Sequence, residues 1–181
     1  MSQNSVGVLG NPEKNDGFGS SLAAGNFDGD RYDDLVVGVP NEAIGAIGAA
    51  GMVNVLYGTS SGPTGSGSQG WHQDSPGIPG GCEANDRFGS ALTTGDFNGD
   101  TFMDLAIGVE GEDASGGAVN IIHGGSSGLS PFRPQLWHQG LSSIPGGIEA
   151  GDFFGSSLAA GDFNNDGRAD LAIGIYREDL G

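Results

Sequence analysis

The sequence predicts an all-β fold made of radially repeated units, each of four short antiparallel strands, and three observations carry that prediction. An acidic loop recurs in near-identical form as GNFDGDRYDDL from Gly25, GDFNGDTFMDL from Gly95 and GDFNNDGRADL from Gly161. Each loop is followed by a short apolar run broken by glycine: LVVGVP (Leu35–Pro40), LAIGVE (Leu105–Glu110) and LAIGIY (Leu171–Tyr176). The pattern is periodic, with Phe18, Phe88 and Phe154 spaced 70 and then 66 residues apart. Repetition at this length marks architectures in which each unit buries its apolar face against the next.

The elements of a unit follow in order. FGSSLAAGNF from Phe18, FGSALTTGDF from Phe88 and FGSSLAAGDF from Phe154 lead into the loops as first strands. The runs after the loops are too short for helices and read as second strands, so each acidic loop closes a β-hairpin with no helix on either side. GMVNVLYG from Gly51 and GAVNIIHG from Gly117 supply third strands, and a fourth runs through or near WHQ at Trp71–Gln73 and Trp137–Gln139. Laying Trp71–Ser115 over Trp137–Gly181 without a gap matches 26 of 45 residues, IPGG (Ile78–Gly81, Ile144–Gly147) among them. These landmarks divide the chain into a first repeat at 1–70, a second at 71–136 and an incomplete third at 137–181.

Within each loop, oxygen-bearing side chains recur at every second position and a carboxylate closes the set at position nine. The first loop offers Asn26, Asp28, Asp30 and Asp34, the second Asp96, Asn98, Asp100 and Asp104, and the third Asp162, Asn164, Asp166 and Asp170. Position seven adds a main-chain carbonyl from Tyr32, Phe102 and Arg168 respectively. This is a donor set for a hard cation: calcium takes six to eight oxygens at about 2.3–2.6 Å. An EF-hand would need a glutamate at position twelve, where this chain has Val37, Ile107 and Ile173. Up to three calcium ions, one per loop, are expected.

These residues resemble a known family. FG-x-S-L-x-x-GDFN-x-D-G-x-x-DL followed by an IGVP-like strand looks like the FG-GAP repeat, which builds the β-propeller of integrin α subunits and of many bacterial surface or secreted proteins. The resemblance covers nearly the whole chain. It implies four-stranded blades whose first two strands are joined by a calcium loop, with the same ligand sets as the spacing. Three departures stand out. Glycine is usual at loop position six but only Gly167 fits, with Arg31 and Thr101 in that slot elsewhere. Asn26 replaces the first aspartate of the first loop, and the proline of the "GAP" element survives only as Pro40. Gly29 and Gly99, at position four, are placed to relieve the turn. By turn chemistry the third loop matches best and the first least.

At 66–70 residues per unit, a ring of six or seven blades needs roughly 400 residues or more. The 181 residues hold about two and a half blades, so the ring is not closed within one chain. The sequence therefore predicts either a piece of a longer protein or a subunit that associates with copies of itself, because open blade faces need flanking blades or self-association to cover them. The net charge of −17 is self-repelling, and nine of the 23 acids occupy proposed ligand positions, so three calcium ions would bring the charge to −11. Six Lys and Arg residues cannot track a phosphate backbone, which excludes nucleic acid as a partner. No membrane span is present, since no run reaches about 18 apolar residues. The opening MSQNSVGVLG lacks the basic start and apolar stretch expected of a secretory signal, and the lone Cys82 excludes an internal disulfide.

Several motifs have a catalytic look without the context that catalysis needs. GTSSG (Gly58–Gly62) and GGSSG (Gly124–Gly128) fit the hydrolase elbow G-x-S-x-G but follow third strands in register, which predicts hairpin turns rather than a strand-to-helix nucleophile. GSGSQG (Gly65–Gly70) lacks the helix of a dinucleotide site. His72 and His138 recur beside Trp71 and Trp137 and are expected to serve the blade, while His123 stands alone at a strand end. The expectation is a calcium-binding, integrin-α-like propeller segment acting as a non-enzymatic recognition or adhesion scaffold. Its ligand would be an unidentified protein or glycan, in an extracellular or cell-surface setting. Two alternatives compete: an accessory propeller of a secreted hydrolase or phospholipase, and a lectin with Trp71 and Trp137 as sugar platforms.

Overall fold

The computed structural model describes residues 1–178. Its first four strands, β1 (Leu22–Gly25), β2 (Asp34–Val39), β3 (Met52–Leu56) and β4 (Gln69–Trp71), form one sheet in sequence order. The next four, β5 (Leu92–Gly95), β6 (Asp104–Val109), β7 (Ala118–His123) and β8 (Ser130–Trp137), form a second sheet in the same order. β9 (Phe154–Gly161) and β10 (Asp170–Ile175) make a third, two-stranded hairpin. All pairings are antiparallel, and the sheets stand in an open array rather than a closed ring. The register is repeated too: Gly25 pairs with Asp34, Gly95 with Asp104 and Gly161 with Asp170, so each acidic loop starts from the same pair.

One element departs from the all-sheet expectation. Glu112–Ser115 forms a short helical turn after β6, and Asp113 (φ 49°, ψ 58°) and Ala114 (φ 59°, ψ 37°) are left-handed within it. L-residues pay for that hand through Cβ–carbonyl crowding, so the turn is a tight connection rather than a helix that the apolar periodicity foretold.

Burial explains the apolar runs. β3 and β6 are buried along their whole length, and β7 nearly so, because each lies inside a sheet whose two faces are covered. Phe27, Val53, Val55, Phe88, Leu105 and Ile107 share the core between the first two sheets, and Ala106, Val119, Ile121 and Phe154 that between the second sheet and the third hairpin. Trp71 and Trp137 pack against those two cores respectively, which makes them wedges between sheets.

The glycines inside β2 and β6 are required by the next unit. A Cβ on Gly38 would lie 2.3 Å from the Gly89 carbonyl oxygen, and one on Gly108 would lie 2.3 Å from that of Gly155. These carbonyls belong to the FG turns of the following repeats, so the apolar run and the FG dipeptide specify each other. Parallel bridges Gly51↔Phe88 and Gly117↔Phe154 join the sheets at the same level. Buried Asn54 and Asn120 tie in the connecting segments in opposite senses: Asn54 Oδ1 accepts the Leu9 N–H at 3.0 Å, whereas Asn120 Nδ2 donates to the Pro79 carbonyl at 2.9 Å. Proline has no N–H to offer, so the amide turns over.

Candidate metal centre

All three acidic loops lie side by side at one end of the array. The Met103 N–H donates to the Asn26 carbonyl at 3.1 Å, and the Ala169 N–H to the Asp96 carbonyl at 2.9 Å, linking each loop to the one before it. Position four is left-handed throughout, at Gly29 (φ 75°), Gly99 (φ 80°) and Asn165 (φ 60°), which curls the chain back on itself. Relief of strain is only part of the glycine's role there. A Cβ on Gly29 would meet the Phe102 ring at 2.6 Å, and one on Gly99 the Arg168 side chain at 2.9 Å. The position-seven side chain of each loop thus seats on the glycine of its predecessor, a contact between loops that their spacing did not reveal.

The curl gathers the proposed ligands around the loop's own amides. In the second loop, Asp96 Oδ1 accepts the Gly99 and Asp100 N–H groups at 2.7 and 3.1 Å, and Asp96 Oδ2 accepts Thr101 N–H at 2.8 Å. Asn98 Oδ1 accepts Asp100 N–H at 2.8 Å, and Asp100 Oδ1 accepts Phe102 N–H at 2.9 Å. The third loop repeats this. Asp162 accepts from Asp166 and Gly167 at 3.0 and 2.9 Å, Asn164 from Asp166 at 2.8 Å, and Asp166 from Arg168 at 2.9 Å. The first loop differs at its start. Asn26 Oδ1 accepts only Gly29 N–H, at 2.8 Å, and its Nδ2 donates to the Asp30 carbonyl at 2.5 Å, while Asp28 and Asp30 accept Asp30 and Tyr32 N–H at 3.0 and 2.5 Å. Position six explains the difference, being left-handed at Thr101 (φ 78°) and Gly167 (φ 88°) but not at Arg31.

Thr101 is a β-branched residue held in this strained region and exposed to solvent. Thr101→Gly is therefore expected to stabilise the chain by about 0.5–1 kcal/mol, the relief of strain exceeding the entropy glycine adds to the unfolded chain. A urea midpoint below that of the parent protein would contradict it.

The closing aspartates are the most enclosed members. Asp34 and Asp104 are 1% and 0% exposed. Asp34 Oδ2 accepts Phe27 N–H at 2.9 Å and its Oδ1 accepts Gly58 N–H at 2.8 Å. Asp104 makes the matching bonds to Phe97 and Gly124, both at 3.0 Å. Asp170 Oδ2 accepts Phe163 N–H at 2.9 Å. Burial pushes the Asp34 carboxyl above the usual carboxylate range against the pull of its two amide bonds, and the charges of Asp28 and Asp30 push the same way. A divalent cation among these side chains would reverse that repulsion. Burial likewise raises Asp104, opposed by Gly124, His123 and Phe97. His123 does not stand alone: its Nδ1 lies 3.2 Å from Asp104 Oδ2 and 3.4 Å from Asn98 Nδ2, against the second loop.

Among the described residues, no three His, Cys, Asp or Glu side chains stand together as a ready-made metal cluster. The donor chemistry nonetheless fits a hard cation, since every side chain at positions one, three, five and nine carries oxygen. The N–H groups of the position-seven residues Tyr32, Phe102 and Arg168 draw them into the same curl.

The serine motifs are turns. Gly62 N–H donates to the Thr59 carbonyl at 2.9 Å and Gly128 N–H to that of Gly125 at 2.8 Å, directly after β3 and β7. Cys82 Sγ lies 3.8 Å from His72 Nδ1, and burial pushes the thiol up and the imidazole down, away from a reactive ion pair. No helix among the described residues is long and apolar enough to cross a membrane.

Comparison with known proteins identifies the repeats. The FG-GAP repeat profile matches residues 18–56, 88–122 and 154–181, more than half of the chain. Integrin alpha-X of Mus musculus is 39% identical over 166 residues, covering 87% of this chain and 13% of that protein. Integrin alpha-PS2 of Drosophila melanogaster is 34% identical over 170 residues, covering 90% of this chain and 12% of that protein. Phosphatidylinositol-glycan-specific phospholipase D of Mus musculus is 39% identical over 92 residues, 49% of this chain and 11% of that protein. The chain thus spans only a small part of the length of each curated relative it matches. With three matched repeats and four-stranded antiparallel sheets in an open array, the chain is a partial β-propeller and belongs to the FG-GAP repeat family.

Proposed function

We propose that this chain is a calcium-binding propeller segment, with repeats at 1–70 and 71–136 and an incomplete third at 137–181, that works as a non-enzymatic scaffold for recognition or adhesion. The observation that carries the reading is the row of three oxygen-rich loops at one end of the array, each closed by an aspartate tied to the start of its own loop. Calcium would be held by the side chains at positions one, three, five and nine and the carbonyl at position seven. Its role is to lock each hairpin and neutralise mutually repelling carboxylates. If the loops bind calcium at about 0.1 mM, as extracellular modules do, they fill where calcium is millimolar, which supports an extracellular or cell-surface setting.

The likeness to integrin alpha chains over most of this chain favours adhesion over catalysis. The shorter match to the phospholipase supports the accessory-propeller reading only for half of the chain. The packing of both tryptophans against sheet cores argues against their use as sugar platforms. Calorimetric titration with calcium tests the proposal: the chain is expected to bind up to three ions and Asp170→Ala one fewer. An Asp170→Ala variant with the parent's stoichiometry would remove the third loop from the account.

A further inference from the structure

A buried glutamine at the start of each repeat's connecting segment reaches a glutamate in the turn after the following second strand. Gln3 Nε2 donates to Glu42 Oε2 at 2.7 Å, Gln73 Nε2 to Glu112 Oε2 at 2.5 Å, and Gln139 Nε2 to Glu178 Oε2 at 2.5 Å. Each pair is separated by 39 residues, and a glycine roofs each one. A Cβ on Gly10, Gly80 or Gly146 would come within 2.9, 2.5 or 2.6 Å of the glutamine nitrogen. Recurrence in register makes this clasp a built part of the blade junction. It lies at the far end of β6 from Asp104, away from the cation loops.

The second and third clasps leave an atom unsatisfied. Gln73 and Gln139 are 2% and 3% exposed, yet Oε1 of each has no hydrogen-bond partner among the described residues. Native proteins rarely leave a buried amide oxygen bare. A carboxylate has no proton to give it; a carboxylic acid does, and its other oxygen can still accept from Nε2. The first clasp is different: Glu42 Oε1 also accepts the Asn11 N–H at 3.1 Å, and burial pushes its carboxyl up against that bond and the one from Gln3.

The charges around Glu112 favour the neutral form. Asp113 is its neighbour on the left-handed turn, and Glu83 and Asp86 face it from the segment before β5, where Asp86 accepts the Glu83 N–H. Arg87 on that same segment is turned away onto Glu110 at 3.0 Å. Burial pushes the Glu112 carboxyl up to about 7; Asp86, Asp113 and Glu83 add to the push, and only the Gln73 hydrogen bond opposes it.

We propose that Glu112 is held as the neutral acid in a reciprocal acid–amide pair with Gln73, and that this pair is a proton-dependent latch between the segment leaving the first sheet and the second sheet. The folded chain then keeps a proton that the unfolded chain releases near the ordinary glutamate pKa. The latch is at full strength below that value, and its contribution is lost as pH rises through about 7. Deprotonation strips Gln73 Oε1 of its donor and sets another negative charge against Asp86, Glu83 and Asp113. Gln139 and Glu178 repeat the hydrogen bond and the bare amide oxygen at the next junction.

The test uses the whole chain at constant millimolar calcium, so that the cation loops stay in one state. Glu112→Gln replaces the acid by an amide that pairs reciprocally with Gln73 without a titrating proton. The thermal midpoint of the parent is expected to fall by several degrees more than that of Glu112→Gln between about pH 6 and pH 8.5, leaving the variant the more stable at the upper end. Equal slopes, or a variant that melts below the parent at the upper end, would overturn the latch. Carbon-13 NMR of the unmodified protein keeps the question open to test even if the variant fails to fold. A Glu112 carboxyl midpoint near 7, with Gln73 side-chain amide signals moving in step, supports the latch; an ordinary glutamate midpoint refutes it.

Discussion

Asp104→Ala is expected to lower the stability of the chain by about 2–5 kcal/mol and to abolish one calcium site. The carboxylate is 0% exposed and caps the N–H groups of Phe97 and Gly124, and His123 leans on it at 3.2 Å. Alanine strands both amides and the imidazole inside the second hairpin, where water does not replace the lost acceptor. Asp34→Ala strands the equivalent amides of Phe27 and Gly58 and should cost a similar amount. Asp170, more exposed and tied only to Phe163 among the backbone amides described, should cost less. Urea unfolding in chelator measures the structural part without the contribution of metal. If Asp104→Ala stayed within about 0.5 kcal/mol of the parent, the closing aspartate would not be the tie that the geometry makes it.

Removal of calcium should have an effect of comparable size. At millimolar calcium and a dissociation constant near 0.1 mM, each loop gains about 1.4 kcal/mol, and three loops together about 4 kcal/mol. That is a large share of the few kcal/mol by which a small domain is stable. Chelation should therefore drop the thermal midpoint by many degrees, and magnesium should restore it poorly because it demands tighter octahedral geometry and dehydrates reluctantly. The charge of −17 sharpens the expectation, since the chelated protein carries its full self-repulsion. A melting curve indifferent to chelator at low ionic strength would count against calcium as a structural element.

The strands and the loop positions were legible in the sequence because both are local and repeated. Leu35–Pro40 and Leu105–Glu110 announce buried strands by being apolar and short, and they fold as β2 and β6 within a residue or so. What escaped is the set of contacts made between units, which leave no periodic trace along one strand. Gly29 and Gly99 read as turn residues, yet their missing Cβ atoms also make room for Phe102 and Arg168 of the next loop. His123 read as isolated because nothing in the chain near it shows that β7 ends against Asp104. The left-handed turn at Glu112–Ser115 has no glycine at its two inner positions to betray it. The glutamine clasps were within reach: Gln3, Gln73 and Gln139 stand the same 39 residues before Glu42, Glu112 and Glu178, a second register alongside that of the loop aspartates.

Anomalous scattering from crystals grown in millimolar calcium addresses the central claim most directly. A peak is expected in each loop, surrounded by the oxygens of Asn26, Asp28, Asp30 and Asp34 and of their counterparts in the second and third repeats, at about 2.3–2.6 Å. Well-ordered loops with no anomalous density at that concentration would contradict the assignment of these carboxylates to a cation.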